Sequence, residues 1–291
     1  MYGILIIDKA PGMTSHDIVN DLRRHLHLKR IGHAGTLDPF ATGVMVILID
    51  KATKLSKYFM DHDKSYTATI TLGLTSDTLD ITGKILSETD ASHLTAEAIN
   101  DQLAKMVGKI AQVPPAYSAI KVDGKKMVDL ARKNKELPVL EPRNVEIYKM
   151  SGLRNYCVQG KQVSFEIDMD VSKGTYIRSF ARDLGLSLGV GAVLSGLRRT
   201  KVGLFDIKDA ICLEKIHTMD YELLDPIPYL GMAGIILNDE QAEYVLNGRF
   251  LPVSIFPTKE DTIVYSSIKL PLAIYTYDSN KNVMRVSVLL N

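Results

Sequence analysis

The chain has 291 residues, 46% of them hydrophobic, with two cysteines, no tryptophan and 35 Lys+Arg against 34 Asp+Glu. That balance excludes a disordered chain and allows one large core or a large domain plus a small one. The longest apolar run, Val44–Ile49, has strand length, so no membrane span is expected.

GILII (3–7) reads as a short strand, followed by a turn at Pro11–Gly12. Thr14 and Asp17 form the pattern of a capping box, and the helix they open carries Ile18, Leu22 and Leu26 at helical spacing. Residues 29–43 read as a Gly-rich loop, VMVILI (44–49) as a fully buried strand, and 52–60 as a short helix. SYTATITLG (65–73) alternates as a strand, and TSDTLDITG (75–83) is turn-rich. Thr95 caps a helix with Ile99, Leu103 and Met106 inward. VPPAYSAIKVDGKK (113–126) combines a Pro-Pro bend with a short strand and an Asp-Gly hairpin turn. Strands follow at 142–151 and 162–171. A helix after Gly174 then carries Ile177, Phe180, Ala181, Leu184 and Leu188 on one face, and a strand spans 197–205.

This irregular order with several hairpins predicts an α+β fold with a mixed, mainly antiparallel sheet over residues 1–230. A small β-rich module is predicted over 234–291. The charge follows the same division: residues 1–205 carry a net +6 and residues 206–291 a net −5. Basic clusters at 23–30, 121–126, 132–135 and 197–201 suit phosphate contacts, or equally a solvated surface.

Much chemistry is missing. There is no GxxxxGK[ST] loop, no dinucleotide-binding glycine pattern after a strand, no HExxH and no GxSxG. The histidines and cysteines have no zinc spacing, and Cys157 and Cys212 stand alone. The reaction is therefore expected to need no metal and no organic cofactor. The N-terminal MYGILIIDKAPG lacks the features of a signal peptide. A cytoplasmic, reducing setting is expected.

Two segments stand out. In GHAGTLDPFATGVM (32–45), Asp38 precedes Pro39, which pushes its backbone towards extended conformations in a loop that ends at a buried strand. Such an acid is either placed for catalysis or bonded to amides in a tight turn. In SKGTYIRSFARDLG (172–185), Arg178 falls in the first turn of a helix, where the macrodipole disfavours a cation. It needs a carboxylate or a phosphate beside it, or an ordinary salt bridge. Tyr66 and Tyr176 suit either a core or a stacking platform for a base.

These segments, with DKAPGMTSHDIV (8–19), KSYTATITLG (64–73), TSDTLD (75–80), PPAYSAIKVDGKK (114–126) and LRRTKVGLF (197–205), occur in the order found in the TruB family of tRNA pseudouridine synthases. The resemblance spans about the first 205 residues. Beyond them it is looser, to the family's small RNA-binding PUA-type module. It implies isomerisation of uridine 55 in the T-loop of tRNA by a monomer that meets the tRNA T-arm and no membrane. Residue by residue it makes Asp38 the catalytic aspartate, Tyr66 the aromatic that stacks on the uracil, and Arg178 the partner of Asp38. Tyr176 and Leu197 would shape the uracil pocket, and Asp80 the cleft. His33 would lie where bases leave the T-loop stack, and Lys9 would contribute to substrate binding. In the first motif the family places its proline directly after the lysine, whereas this chain reads Lys9-Ala10-Pro11.

Breaking the C1′–N1 bond, rotating the uracil and rejoining it through C5 needs no external reagent. Asp38 could attack C1′, add to C6, or take the C2′ proton to give a glycal. Arg178 is expected to lower the Asp38 pKa, while Arg23, Arg24, Lys29, Arg30, Arg198 and Arg199 hold phosphates. Two other readings are a non-catalytic tRNA-folding factor using the same cleft and a cofactor-free hydrolase. The hydrolase lacks a second placed acid or base.

Overall fold

The apolar strands read from the sequence join into one sheet that brings residues far apart in the chain to a single seam. A computed structural model describes residues 2–290 except 119, 123, 128–129 and 131–137. The basic stretch at 132–135 and the aspartate of the Asp-Gly turn lie outside the described residues. The neighbours of that turn, Val122 and Lys125, pair as expected.

The sheet's main strands are β1 (Gly3–Lys9), β2 (Thr42–Ile49), β3 (Lys64–Leu72), β4 (Gly108–Gln112), β5 (Arg143–Met150), β6 (Gln162–Val171) and β7 (Ala192–Val202). They lie in the order β1-β2-β7-β3-β6-β5-β4. Every neighbouring pair is antiparallel except β7 and β2, which run parallel through Arg198↔Thr42 and Arg199↔Gly43. That short parallel contact sets Leu197–Arg199 beside the loop that carries Asp38. On the other side of β7, Leu197 faces Ala68 and Arg199 faces Tyr66.

Three helices pack on the sheet: α1 (Ser15–His25), α2 (Ala96–Lys105) and α3 (Ile177–Ser187). The Thr14–Asp17 capping box forms in both directions, and Thr95 caps α2 through the Ala98 amide. α1 buries Ile18 and Leu22 against Leu5, Ile7, Met45 and Ile47. α2 and α3 bury Ile99, Leu103, Phe180 and Leu184 against Ile70, Phe165 and Ile167. The α+β, mainly antiparallel architecture predicted from the sequence is the one found.

Three local expectations need correction. Residues 52–60 form a 3₁₀ turn, Asp50–Leu55, before a short α-helix, Ser56–Met60. The Thr53 hydroxyl donates to the Asp50 carbonyl at 2.6 Å within that tighter turn. β7 starts at Ala192, five residues ahead of Leu197, because the apolar Ala192–Leu194 stretch pairs with Ile70–Leu72. It ends at Val202, and a turn at Gly203 leads to Phe205–Asp206. The strand Arg154–Gln159 was not expected, since all six of its residues are exposed and leave no apolar alternation to read.

The C-terminal segment forms a second, five-stranded sheet in the order Gly234–Ile236, Thr262–Tyr265, Pro271–Asp278, Val283–Leu289, Leu251–Pro252. Its Ile263, Ile274 and Val288 share a core with Val46, Leu48 and Phe59. Among the described residues no helix is long and apolar enough to cross a membrane.

Candidate active site

The loop between the short strand Ile31–His33 and β2 is fixed from three sides. Ser15, at the start of α1, accepts from the Leu37 amide at 2.9 Å and donates to the Leu37 carbonyl at 3.1 Å. The Gly12 amide and the Lys9 ammonium both donate to the Pro39 carbonyl, at 2.8 and 3.1 Å. Arg199 donates to Val44, Gly35 and Thr36 carbonyls at 2.7, 3.1 and 3.4 Å. Asp38 sits at the centre of these clamps. Gly43, at φ 103°, has no room for a Cβ, which would stand 2.1 Å from the Arg199 carbonyl oxygen.

Arg178 occupies the first turn of α3 and is buried. Its Nε lies 2.9 Å from Asp38 Oδ2 and its Nη2 3.2 Å from Oδ1, a two-pronged contact. Nη1 donates to the Thr78 carbonyl at 3.0 Å, and Nη2 also donates to the Tyr117 carbonyl at 2.8 Å. Asp80 Oδ2 stands 3.8 Å from Nη1. The other Asp80 oxygen accepts from the Thr78 hydroxyl and from the Thr82 amide and hydroxyl, at 2.8, 3.0 and 2.6 Å. Two carboxylates and two carbonyls thus compensate a cation that the helix dipole disfavours.

Asp38 opens into a cavity of about 290 Å³ walled by Tyr66, Leu197, Tyr176, Ile177, Lys64 and Arg199, among others. Burial pushes the Asp38 carboxyl above the usual aspartate range; the Arg178 guanidinium opposes this without cancelling it, and Asp80 adds to the rise. The expectation of a lowered pKa is therefore corrected: desolvation exceeds the ion pair. Burial likewise brings the Lys9 and Lys64 ammonium groups down to about 8.

Of the residues expected at the site, Asp38, Tyr66, Tyr176, Arg178 and Leu197 line the one cavity. Asp80 lies behind Arg178. Lys9 is fully buried beneath the loop, its ammonium bonded to the Ala10 and Pro39 carbonyls. His33 is on the adjoining strand outside the lining, and burial followed by the charge of Arg199 lowers its imidazole pKa.

The phosphate-holding expectation for Arg199 is overturned: the side chain is 1% exposed and spent on carbonyls. Arg198 is partly exposed but grips Asp8 with two nitrogens, at 2.7 and 3.1 Å. The sequence reading missed Lys64, Ser15 and the inward role of Arg199. Strand alternation from Leu197 would have put Arg199 on the cavity face.

A family model described as the TruB family pseudouridylate synthase N-terminal domain matches residues 23–177. A protein named tRNA pseudouridine synthase B from Listeria welshimeri is 40% identical over 90% of this chain and 88% of its own length. The chain belongs to the TruB family. A second member of that name, from Mycobacterium tuberculosis, is 42% identical over 86% of this chain and 84% of its own length. A TruB-specific model, the tRNA pseudouridylate synthase B C-terminal domain, matches residues 178–227. The TruB fold also appears in a solved Cbf5-Nop10-Gar1 complex, with TM-score 0.69 and 23% identity over 99% of this chain and 84% of the other.

Proposed function

We propose that this chain converts uridine 55 in the T-loop of tRNA to pseudouridine, with Asp38 as the catalytic carboxylate. The observation that carries this reading is the Asp38–Arg178 pair at the mouth of a cavity bounded by Tyr66 and Leu197. The family supplies the reaction class, and the relatives' name supplies tRNA as the substrate.

The isomerisation breaks the C1′–N1 bond, joins C1′ to C5, leaves a proton on N1 and releases the C5 hydrogen to solvent. Whether Asp38 attacks C1′, adds to C6 or takes the C2′ proton, the requirement on the protein is one ionised carboxylate held still. Arg178 fixes the orientation of that carboxylate and favours its charge. The uracil must first leave the T-loop stack, at a cost of a few kcal/mol. Stacking on Tyr66 returns about 1–3 kcal/mol, while Leu197 and Tyr176 enclose the base.

Asp80 and Lys9 act from behind, one on Arg178 and the other on the Asp38 loop. His33 stands at the rim where neighbouring bases pass. Arg23, Arg24 and Lys29 line a shallow groove at the end of α1 that suits T-arm phosphates. The same reading takes residues 1–230 as the catalytic domain and 234–291 as a PUA-like RNA-binding module, in a monomeric cytoplasmic enzyme.

Carbodiimide labelling and primer extension on an unmodified T-arm RNA test the target. Stops one nucleotide 3′ of position 55, which mark an adduct on pseudouridine 55, are expected after incubation. Stops at another uridine, or none, would contradict the assignment.

A further inference from the structure

We infer that Asp21, His25 and His217 form a binding site for a late first-row divalent cation of the zinc class. Asp21 and His25 are four residues apart on α1 and share a face. His217 ends the short helix Leu213–His217, almost 200 residues later, which is why no spacing in the sequence announces the cluster.

The three side chains converge on one oxygen. His217 Nε2 lies 2.7 Å and His25 Nδ1 3.5 Å from Asp21 Oδ2. One ligand atom from each of the three lies within 4.8 Å of the other two. Ligands about 2.0–2.1 Å from a tetrahedral zinc ion stand about 3.3 Å apart, between the two spacings seen here. The imidazole rings stack with centroids 3.8 Å apart and 20° between their planes, so their in-plane lone pairs run nearly side by side. Binding requires the two rings to rotate out of the stack until both lone pairs meet at one ion.

The carboxylate is already oriented. Arg24 Nη2 holds Asp21 Oδ1 at 3.2 Å, leaving Oδ2 to the imidazoles. His25 Nδ1 also lies 3.1 Å from the Asp21 carbonyl, which keeps its ring over the carboxylate. Binding replaces that contact with a coordinate bond, and any proton on Nδ1 or on His217 Nε2 goes to solvent. Two imidazoles with one carboxylate favour Zn²⁺, Ni²⁺ or Cu²⁺ over Mg²⁺ or Ca²⁺, and the exposed side leaves a position for water.

None of the three residues lines the Asp38 cavity. The ion would tie α1 to the segment that leads into the second sheet, so it acts on stability and not on the isomerisation.

Calorimetric titration of the full chain with ZnCl₂ tests the site, supported by Co²⁺ absorption. The wild type is expected to bind one ion per chain at this site, and His217→Ala to bind it at least about tenfold more weakly. Visible Co²⁺ bands should appear without a thiolate charge-transfer band. His217→Ala should keep its circular dichroism and its activity, and should lose the Zn²⁺-induced rise in Tm. Absence of binding by the wild type would overturn the inference. So would undiminished binding by a folded His217→Ala, which keeps the exposed Cys157 and Cys212 as rival ligands.

Discussion

Arg178 illustrates how one side chain can satisfy conflicting demands. It stands where a helix repels a cation, yet it is buried among two carboxylates and two carbonyls. A lysine cannot make the same two-pronged contact with Asp38. Arg178→Lys is expected to lower kcat/KM by about 100-fold, the scale of a small misplacement of a catalytic group, as read by single-turnover assay. The pH profile gives a second check. The folded pKa of Asp38 is raised by burial and the active form is ionised, so activity falls with acid at a higher pH than for an ordinary aspartate. Removing the guanidinium, the main influence lowering that pKa, should move the acid limb higher still. A limb that moves to lower pH would contradict the pairing.

At the scale of elements, the Asp38 loop depends on how β7 meets β2. Gly43 has a backbone φ of 103° and faces the Arg199 backbone, so Gly43→Ala should cost about 1–3 kcal/mol from backbone strain alone, plus the displacement of β7. Urea unfolding should report this as a lowered midpoint. Arg199→Lys, which loses most of the clamp on Gly35, Thr36 and Val44, should lower kcat more than it raises KM. Some of this arrangement was legible in the chain. Thr14 and Asp17 announce the start of α1, and Arg178 in a first turn announces a missing partner. That the partner is Asp38, 140 residues away, follows from strand order, which local patterning does not encode. Arg199 was misread because a run of basic residues looks like surface, although the alternation of β7 turns every second residue inward. The strand at Arg154–Gln159 has no residue in the core and so left no trace in the hydrophobic pattern.

Over the whole molecule, the two sheets share a core in which Ile263, Ile274 and Val288 meet Val46, Leu48 and Phe59. Side chains cross the same boundary, with Lys57 donating to Ser287 at 2.7 Å and the Tyr58 hydroxyl 3.0 Å from it. Ile274→Ala should therefore cost about 2–5 kcal/mol and lower a single cooperative transition. Two separated calorimetric transitions in the wild type would contradict a shared core. The division of charge, net positive before residue 206 and net negative after it, puts the phosphate-binding potential on the part that holds Asp38. The central claim is that Asp38 performs an isomerisation at C5 of a uridine. Its most direct test is tritium release from T-arm RNA carrying uridine tritiated at C5, comparing the wild type with Asp38→Asn. The account predicts release to water by the wild type and none by the variant. Release that survives the substitution, or RNA that is bound without release by the wild type, would contradict it.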